Sequence, residues 1–70
     1  MYKLGFIGLG NMASALIKGL ISSGYLNKND ICGFDISEKA RIKARESGIH
    51  ICSNNQETVN KSELIIIAVK

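Results

Sequence analysis

The sequence of 70 residues predicts an α/β fold built on a doubly wound parallel sheet with the strand order 3-2-1-4. Short apolar segments alternate with segments in which apolar residues recur at helical spacing, as expected when each strand is followed by a helix. A glycine-rich turn joins the first apolar segment to the first helix, and an acidic residue ends the second apolar segment. Right-handed crossovers then place a topological switch between the first and fourth strands, where open α/β sheets bind their ligands.

The composition excludes several classes of protein. With 46% apolar and 21% charged residues, the chain is expected to be globular rather than disordered or membrane-spanning. The net charge of +3 comes from lysines and arginines spread along the chain, so we expect no nucleic-acid-binding patch. The longest apolar run, Leu64–Val69, is too short to cross a bilayer. Because Met1–Lys3 leads directly into the first strand, we expect no secretory signal and a cytoplasmic location.

The glycine turn predicts a dinucleotide-binding site of the Rossmann type. The strand Leu4–Ile7 runs into Gly8, which permits a tight turn, and Gly10 allows the backbone to approach a pyrophosphate closely. Ala13 stands where a third glycine is usual, and its methyl group still lets the helix pack closely on the sheet. The free backbone amides of residues 11–13 would bind the anion with support from the helix dipole. An ordinary strand-turn-helix connection that binds nothing is the alternative.

The other elements follow from the hydrophobic period and the turn residues. Gly24 and Gly48 are placed to end the first two helices, and Leu26–Asp30 is expected to be a loop. Asn54 and Glu57 have the spacing of a capping box at the start of a short third helix. The predicted strands and longer helices are Leu4–Ile7, Asn11–Ser23, Ile31–Phe34, Glu38–Ser47, Ile49–Cys52 and a wholly buried strand over Leu64–Val69.

Asp35, at the end of the second strand, is the residue expected to bind the adenosine ribose. A dinucleotide-binding fold places an acidic residue about 20 residues beyond the glycine turn for this purpose. The alternative is that Asp35 or Ser37 caps the second helix. Two unit charges about 4 Å apart interact by roughly 4 kcal/mol at an effective dielectric constant of about 20. A carboxylate here therefore favours NADH over NADPH, unless Lys39 or Arg41 offsets the repulsion of a 2′-phosphate.

The sequence contains no catalytic constellation. It has no nucleophile with a base partner, no carboxylate pair and no spacing typical of metal ligands, as expected when a nicotinamide supplies the hydride. His50 is interpreted as a surface residue, and Cys32 and Cys52 as reduced, partly buried packing residues rather than disulfide or metal ligands. The apolar edge of the fourth strand, with nothing beyond it, predicts that residues 1–70 are the N-terminal part of a longer enzyme.

Four stretches together resemble the N-terminal segment of the pyrroline-5-carboxylate reductases. They are residues 5–13, 15–24, 55–59 and 68–70, which read GFIGLGNMA, ALIKGLISSG, NQETV and AVK. The β-hydroxyacid dehydrogenases have a similar glycine turn, but their first helix runs almost directly into the second strand, whereas residues 25–30 intervene here. A β-hydroxyacid-type dehydrogenase and a non-catalytic nucleotide-sensing domain are the alternative functions.

The resemblance implies hydride transfer from NADH or NADPH to 1-pyrroline-5-carboxylate, giving L-proline in the last step of proline biosynthesis. Many members of that family have a small polar or basic residue where this chain has Asp35, which leaves the choice of cofactor open. A C-terminal helical domain that forms homo-oligomers and closes the substrate pocket is also implied, beyond residues 1–70. Asn55 either serves the turn before the third helix or faces the ligand crevice. The implied cofactor-binding residues are Ile7, Gly8, Leu9, Gly10, Asn11 and Met12 for the pyrophosphate, Asp35 and Asn55 for the ribose, and Ala68, Val69 and Lys70 for the nicotinamide side.

Overall fold

The computed structural model describes residues 1–69, and its architecture confirms the predicted α/β fold. The four strands form one parallel sheet in the order β3-β2-β1-β4. In the register of the central pairs, Leu4 lies beside Ile31 of β2 and Leu64 of β4. The elements are β1 (Tyr2–Ile7), α1 (Asn11–Ser22), β2 (Ile31–Phe34), α2 (Glu38–Arg45), β3 (His50–Ile51), α3 (Asn55–Asn60) and β4 (Ser62–Ile67).

The core lies between the sheet and the pair α1 and α2. Side chains alternate along each strand, so Leu4 and Phe6 of β1 face these helices, where they pack with Ala13 and Ile17 of α1. Phe6 is fully buried. The opposite face of the sheet receives α3, which approaches closely because Gly5 has no side chain. The described part of the chain thus has helices on both faces of the sheet, as a doubly wound fold requires.

The turns between the elements differ in detail from the prediction. The expected loop Leu26–Asp30 contains a single 3₁₀ turn at Lys28–Asp30, since the Asp30 carboxylate accepts a hydrogen bond from the Asn27 amide at 2.9 Å. The second helix ends at Arg45 rather than Ser47, because Ser47 N–H and Gly48 N–H donate to the carbonyls three residues earlier and tighten the last turn. Gly24 and Gly48 have the left-handed conformation expected of residues that end helices.

The prediction for the fourth strand was wrong in both bounds and burial. The strand begins at Ser62 and ends at Ile67, two residues earlier than expected, because its register is set by pairing with β1. Leu64 and Ile67 are 63% and 68% exposed. Within residues 1–69, β1 is the only strand paired with β4, so one edge of β4 and much of its apolar surface face solvent. A continuous apolar run therefore did not mean burial here.

No helix within residues 1–69 has both the length and the apolar character that crossing a membrane requires.

Candidate nucleotide-binding site

The start of α1 presents backbone amides that the protein itself does not use. Gly10 occupies the N-cap position and provides no side-chain acceptor, and the first turn of α1 has no acidic residue. The first helical hydrogen bond runs from Ser14 N–H to the Gly10 carbonyl oxygen (2.9 Å). The other two helices are capped, α2 by the Ser37 hydroxyl and α3 by the Asn54 side chain. Among the described helices, α1 alone therefore offers uncapped amides, those of residues 11–13, to an external anion.

Gly8 and Gly10 are glycines for different reasons. Gly8 has φ +104°, and a Cβ placed on it would lie 2.8 Å from the Ala68 carbonyl oxygen. Gly8 is thus required by the fold itself. Gly10 has an ordinary φ of −73°, and a Cβ placed on it would meet no protein atom within 4 Å. Since nothing in the described part of the chain requires a glycine at position 10, the open space above it suits a ligand that approaches the backbone closely.

Asp35 holds the glycine turn against the end of β2. Its Oδ2 accepts a hydrogen bond from Leu9 N–H (2.8 Å), and its Oδ1 accepts one from Ser37 N–H (2.9 Å). Each carboxylate oxygen keeps acceptor capacity for a further hydrogen bond, because a carboxylate has about four lone-pair sites. The N-cap of α2 is Ser37, whose hydroxyl accepts from Ala40 N–H at 3.2 Å. Asp35 therefore is not the helix cap, and its partly exposed carboxylate lies beside the turn.

Several of the predicted phosphate-binding residues are already engaged within the protein. Leu9 has a buried side chain and donates its N–H to Asp35. Gly8 N–H donates to the Phe34 carbonyl oxygen (2.9 Å), and the Ile7 carbonyl accepts from Ala68 N–H (2.8 Å). These residues shape the turn. The groups that are left to contact a ligand belong to residues 10–13, and the side chains of Asn11 and Met12 are exposed.

A small cavity of about 240 Å³ opens between the starts of α1 and α2. Lys39 and Lys43 bring positive charge to it, and they are spaced i, i+4 on one face of α2. Arg41 points elsewhere: its Nη1 donates to the carbonyl oxygens of Asp35 (2.8 Å) and Ile36 (3.0 Å). The complete lining is Leu9, Gly10, Asn11, Ser14, Ser37, Lys39, Ala40 and Lys43.

From the sequence, Lys39 was expected near the cofactor, whereas Ser14 and Lys43 were not predicted to line this cavity. The i, i+4 spacing of Lys39 and Lys43 was the signal available for Lys43. A larger groove of about 590 Å³ continues between α1 and α2 toward Ile21 and Glu46. It leads away from the carboxyl ends of the strands, where open α/β sheets bind their ligands, so the smaller cavity is the better candidate.

Of the remaining predicted residues, Asn55, Ala68 and Val69 lie at the same end of the sheet. Asn55 is the first residue of α3 and is exposed, while the capping of that helix is done by Asn54. Ala68 and Val69 follow β4 and flank Gly8: a Cβ on Gly8 would lie 3.0 Å from Val69 Cγ1. Lys70, also predicted for the nicotinamide side, lies outside the described residues.

Fold and site together define the class: a Rossmann-type protein whose glycine turn and first helix suit a dinucleotide. The family is shown by sequence as well. Residues 3–70 match the family described as NADP oxidoreductase, coenzyme F420-dependent, and the chain belongs to that family.

Individual proteins resemble the chain over almost all of its residues. It is 39% identical over 70 residues to a pyrroline-5-carboxylate reductase of Arabidopsis thaliana, with 99% of this chain and 25% of that protein covered. A solved pyrroline-5-carboxylate reductase from Coxiella burnetii superposes with a TM-score of 0.87 at 30% identity, covering 97% of this chain and 25% of that one. An imine reductase variant from Myxococcus stipitatus, solved in complex with NAD⁺, gives a TM-score of 0.78 at 28% identity, covering 99% and 23%. The chain thus spans about a quarter of the length of the curated relatives it matches.

Proposed function

We propose that the uncapped start of α1 binds the pyrophosphate of NADH or NADPH. The observation that carries the proposal is Gly10, where a glycine stands although the protein leaves space for a side chain. The backbone amides of residues 10–13 would surround the phosphate oxygens, and the dipole of α1 would add roughly half a positive charge at that end. When bound, the nicotinamide cofactor supplies the hydride, and the chain's own residues hold and orient it.

We propose that Asp35 accepts hydrogen bonds from the adenosine ribose through the acceptor capacity that its bonds to Leu9 and Ser37 leave free. Support comes from its position at the end of β2, beside the glycine turn. Its negative charge favours NADH. Lys39 and Lys43, which line the cavity between α1 and α2, would limit the discrimination against the 2′-phosphate of NADPH. Asn55 is proposed as a second ribose contact, and Ala68, Val69 and Lys70 as contacts on the nicotinamide side.

Replacing Gly10 tests the pyrophosphate site directly. Gly10→Val should abolish binding of both nucleotides, because the new side chain fills the space that the phosphate needs, while the far-ultraviolet circular dichroism stays that of the parent protein. Gly19→Val is the matched control, since position 19 lies on the same helix and is equally open. Nucleotide binding is measured by fluorescence titration of each purified variant. Retained binding in Gly10→Val would overturn the proposal.

We further propose that the chain is the cofactor-binding part of a pyrroline-5-carboxylate reductase, which transfers a hydride to 1-pyrroline-5-carboxylate and forms L-proline. Two findings support this reaction class: the Arabidopsis and Coxiella proteins are named as such reductases, and the Myxococcus protein is named an imine reductase. The relatives are about four times as long as this chain. As the family resemblance implies, we also propose a further helical domain that completes the substrate pocket and forms homo-oligomers.

The reaction is tested on the longest natural chain that contains these 70 residues. Oxidation of NAD(P)H that depends on 1-pyrroline-5-carboxylate and yields proline supports the proposal. Oxidation of a β-hydroxyacid with reduction of NAD(P)⁺, or nucleotide binding without turnover of either substrate, would contradict it. The isolated 70 residues are expected to bind nucleotide without turnover.

A further inference from the structure

A cluster of three potential metal ligands lies on the face of the sheet opposite α1 and α2, where α3 packs. His50 and Cys52 are two residues apart at β3 and so point to the same face. Glu57, in the first turn of α3, reaches back toward them. One ligand atom from each of the three residues lies within 4.8 Å of the other two.

The geometry is close to what a zinc ion requires. Zinc bonds of about 2.0 to 2.3 Å in a tetrahedral arrangement place two ligand atoms roughly 3.4 to 3.8 Å apart. Atoms that are 4.8 Å apart therefore need to approach one another by roughly 1.0 to 1.4 Å, which side-chain rotation can provide. The His50 imidazole is held against the Tyr2 ring, with centroids 5.3 Å apart and planes within 9°. Its orientation is thus partly set before any ion binds.

The charges and the ligand types also fit. A thiolate from Cys52 and the carboxylate of Glu57 would neutralise a divalent ion, and the imidazole would add a third, neutral ligand. Mixed nitrogen, sulfur and oxygen ligands suit zinc and neighbouring transition ions rather than magnesium or calcium. Ser53 N–H and the Lys61 ammonium group both donate hydrogen bonds to the Glu57 carboxylate, and these bonds direct it toward β3.

Lys61 is the group that an ion would have to replace. Its Nζ lies 3.0 Å from Glu57 Oε2, and its side chain is 54% exposed. An exposed ion pair of this kind contributes little to stability, so the ammonium group can return to water. Cys52 is 3% exposed, whereas His50 is exposed at the edge of the sheet and leaves an approach from solvent.

We propose that His50, Cys52 and Glu57 form a binding site for a thiophilic divalent transition-metal ion, with zinc as the probe and water as the fourth ligand. On binding, the Cys52 thiol releases its proton to solvent and the sulfur bonds to the metal, while Lys61 leaves Glu57. Cys52 and His50 thus act as metal ligands rather than as the packing residue and the surface residue expected from the sequence. The site is independent of the proposed nucleotide function, because it uses none of the same residues.

The test begins with zinc titration of the reduced, metal-free protein in competition with a chromophoric chelator. We expect one zinc ion per chain, bound with micromolar or tighter affinity. His50→Gln and Glu57→Gln should each weaken binding by roughly tenfold or more, because each removes one ligand. Glu63→Gln is the matched control, since Glu63 is an exposed carboxylate outside the cluster. The zinc affinity of this variant should stay within about twofold of the parent value. The single histidine of the chain also allows its ring NMR signals to report zinc binding without ambiguity.

Cobalt identifies the thiol ligand. With Co²⁺, the thiolate-to-metal charge-transfer absorption should persist in Cys32→Ala and disappear in Cys52→Ala. Both cysteines are buried, Cys32 within β2 and Cys52 directly after β3. If circular dichroism shows that a cysteine variant is unfolded, the zinc affinities of His50→Gln and Glu57→Gln decide whether the site exists. These two substitutions are at partly or fully exposed positions, so they are expected to leave the protein folded. The proposal would be overturned if the protein failed to bind zinc with micromolar affinity, or if His50→Gln and Glu57→Gln bound zinc as tightly as the parent protein. A charge-transfer band that survives in folded Cys52→Ala would also overturn it.

Discussion

Asp35 combines a structural contact and a proposed ligand contact in one carboxylate. It bonds to Leu9 N–H in the glycine turn and to Ser37 N–H at the start of α2, so it joins two elements that begin at the same end of the sheet. Removing its charge therefore changes two properties at once. The absolute affinity for any dinucleotide falls because the turn loosens, whereas the ratio of affinities reports the charge alone.

We predict that the unaltered protein binds NADH more tightly than NADPH, and that Asp35→Ser levels or reverses this preference. The expected change in the affinity ratio is about tenfold, or roughly 1.4 kcal/mol, because one repulsive charge near the 2′-phosphate is lost. Titration of both nucleotides against both proteins measures it. Asp30→Ser is the control, since Asp30 precedes β2 at the opposite end of the strand. Identical titration curves for the two nucleotides in the unaltered protein would contradict the charge argument.

The Cys32 thiol should make stability depend on alkaline pH. Burial raises its pKa from 9.0 to about 11, although the Ser62 hydroxyl at 3.2 Å acts in the opposite direction. Above pH 9 the unfolded chain loses this proton while the folded protein keeps it, so the free energy of unfolding falls between about pH 9 and pH 11. The loss is up to about 2 to 3 kcal/mol. Urea denaturation of the parent and Cys32→Ser at several pH values measures the difference, and parallel pH profiles would refute it.

The short helix α3 depends on its own capping residues more than on length. Six residues are too few for a helix that is stable in isolation. Asn54 Oδ1 accepts from Glu57 N–H at 2.8 Å, and the Glu57 carboxylate accepts from Ser53 N–H rather than from the N-cap residue itself. The predicted capping box is therefore present with its second bond moved by one residue. This arrangement leaves the Asn55 side chain exposed at the first position of the helix.

Removing the cap should destabilise the protein measurably. We predict that Asn54→Ala lowers the free energy of unfolding by about 1 kcal/mol, because the Glu57 amide loses its partner. Asn60→Ala, at the other end of the same helix, removes only an exposed side-chain contact with Gln56 and should cost less than about 0.5 kcal/mol. Urea unfolding compares the two variants. If Asn54→Ala and Asn60→Ala lowered the free energy of unfolding equally, the Asn54 cap would contribute no more to stability than an exposed side-chain contact.

The whole molecule presents an uncovered sheet edge at β4. Leu64, Ile67 and Val69 are more than half exposed, and the backbone groups on the outer side of β4 have no strand partner within residues 1–69. Exposed apolar edges of this kind pair with other chains.

We predict that the 70-residue chain self-associates through β4 at high concentration. Ile67→Lys should shift it toward the monomer, because a charge on an edge strand opposes pairing. Ile36→Lys is the control, since Ile36 is 90% exposed but lies in the turn between β2 and α2. Sedimentation velocity over a range of concentrations measures the association. A stable monomer at the highest concentration would contradict the prediction.

The sequence predicted those parts of the nucleotide-binding site whose residues are close together in the chain. The turn from β1 into α1 was identified because Gly8, Gly10 and the start of the helix lie within a few residues of one another. The bond from Leu9 to Asp35 spans 26 residues, and the sequence indicated only that an acid was present. Arg41 was considered for the 2′-phosphate because of its position, but its rotamer directs it to backbone carbonyls instead.

The sequence by itself determined the order of the elements, the sheet order and the glycine turn, because periodicity and turn chemistry act over a few residues and right-handed crossovers leave one arrangement. Only the tertiary structure decided that Asp35 holds Leu9, that β4 is exposed, and that His50, Cys52 and Glu57 meet. Those outcomes depend on strand register, on which edges are paired and on side-chain rotamers, and each is set by contacts between residues distant in the chain.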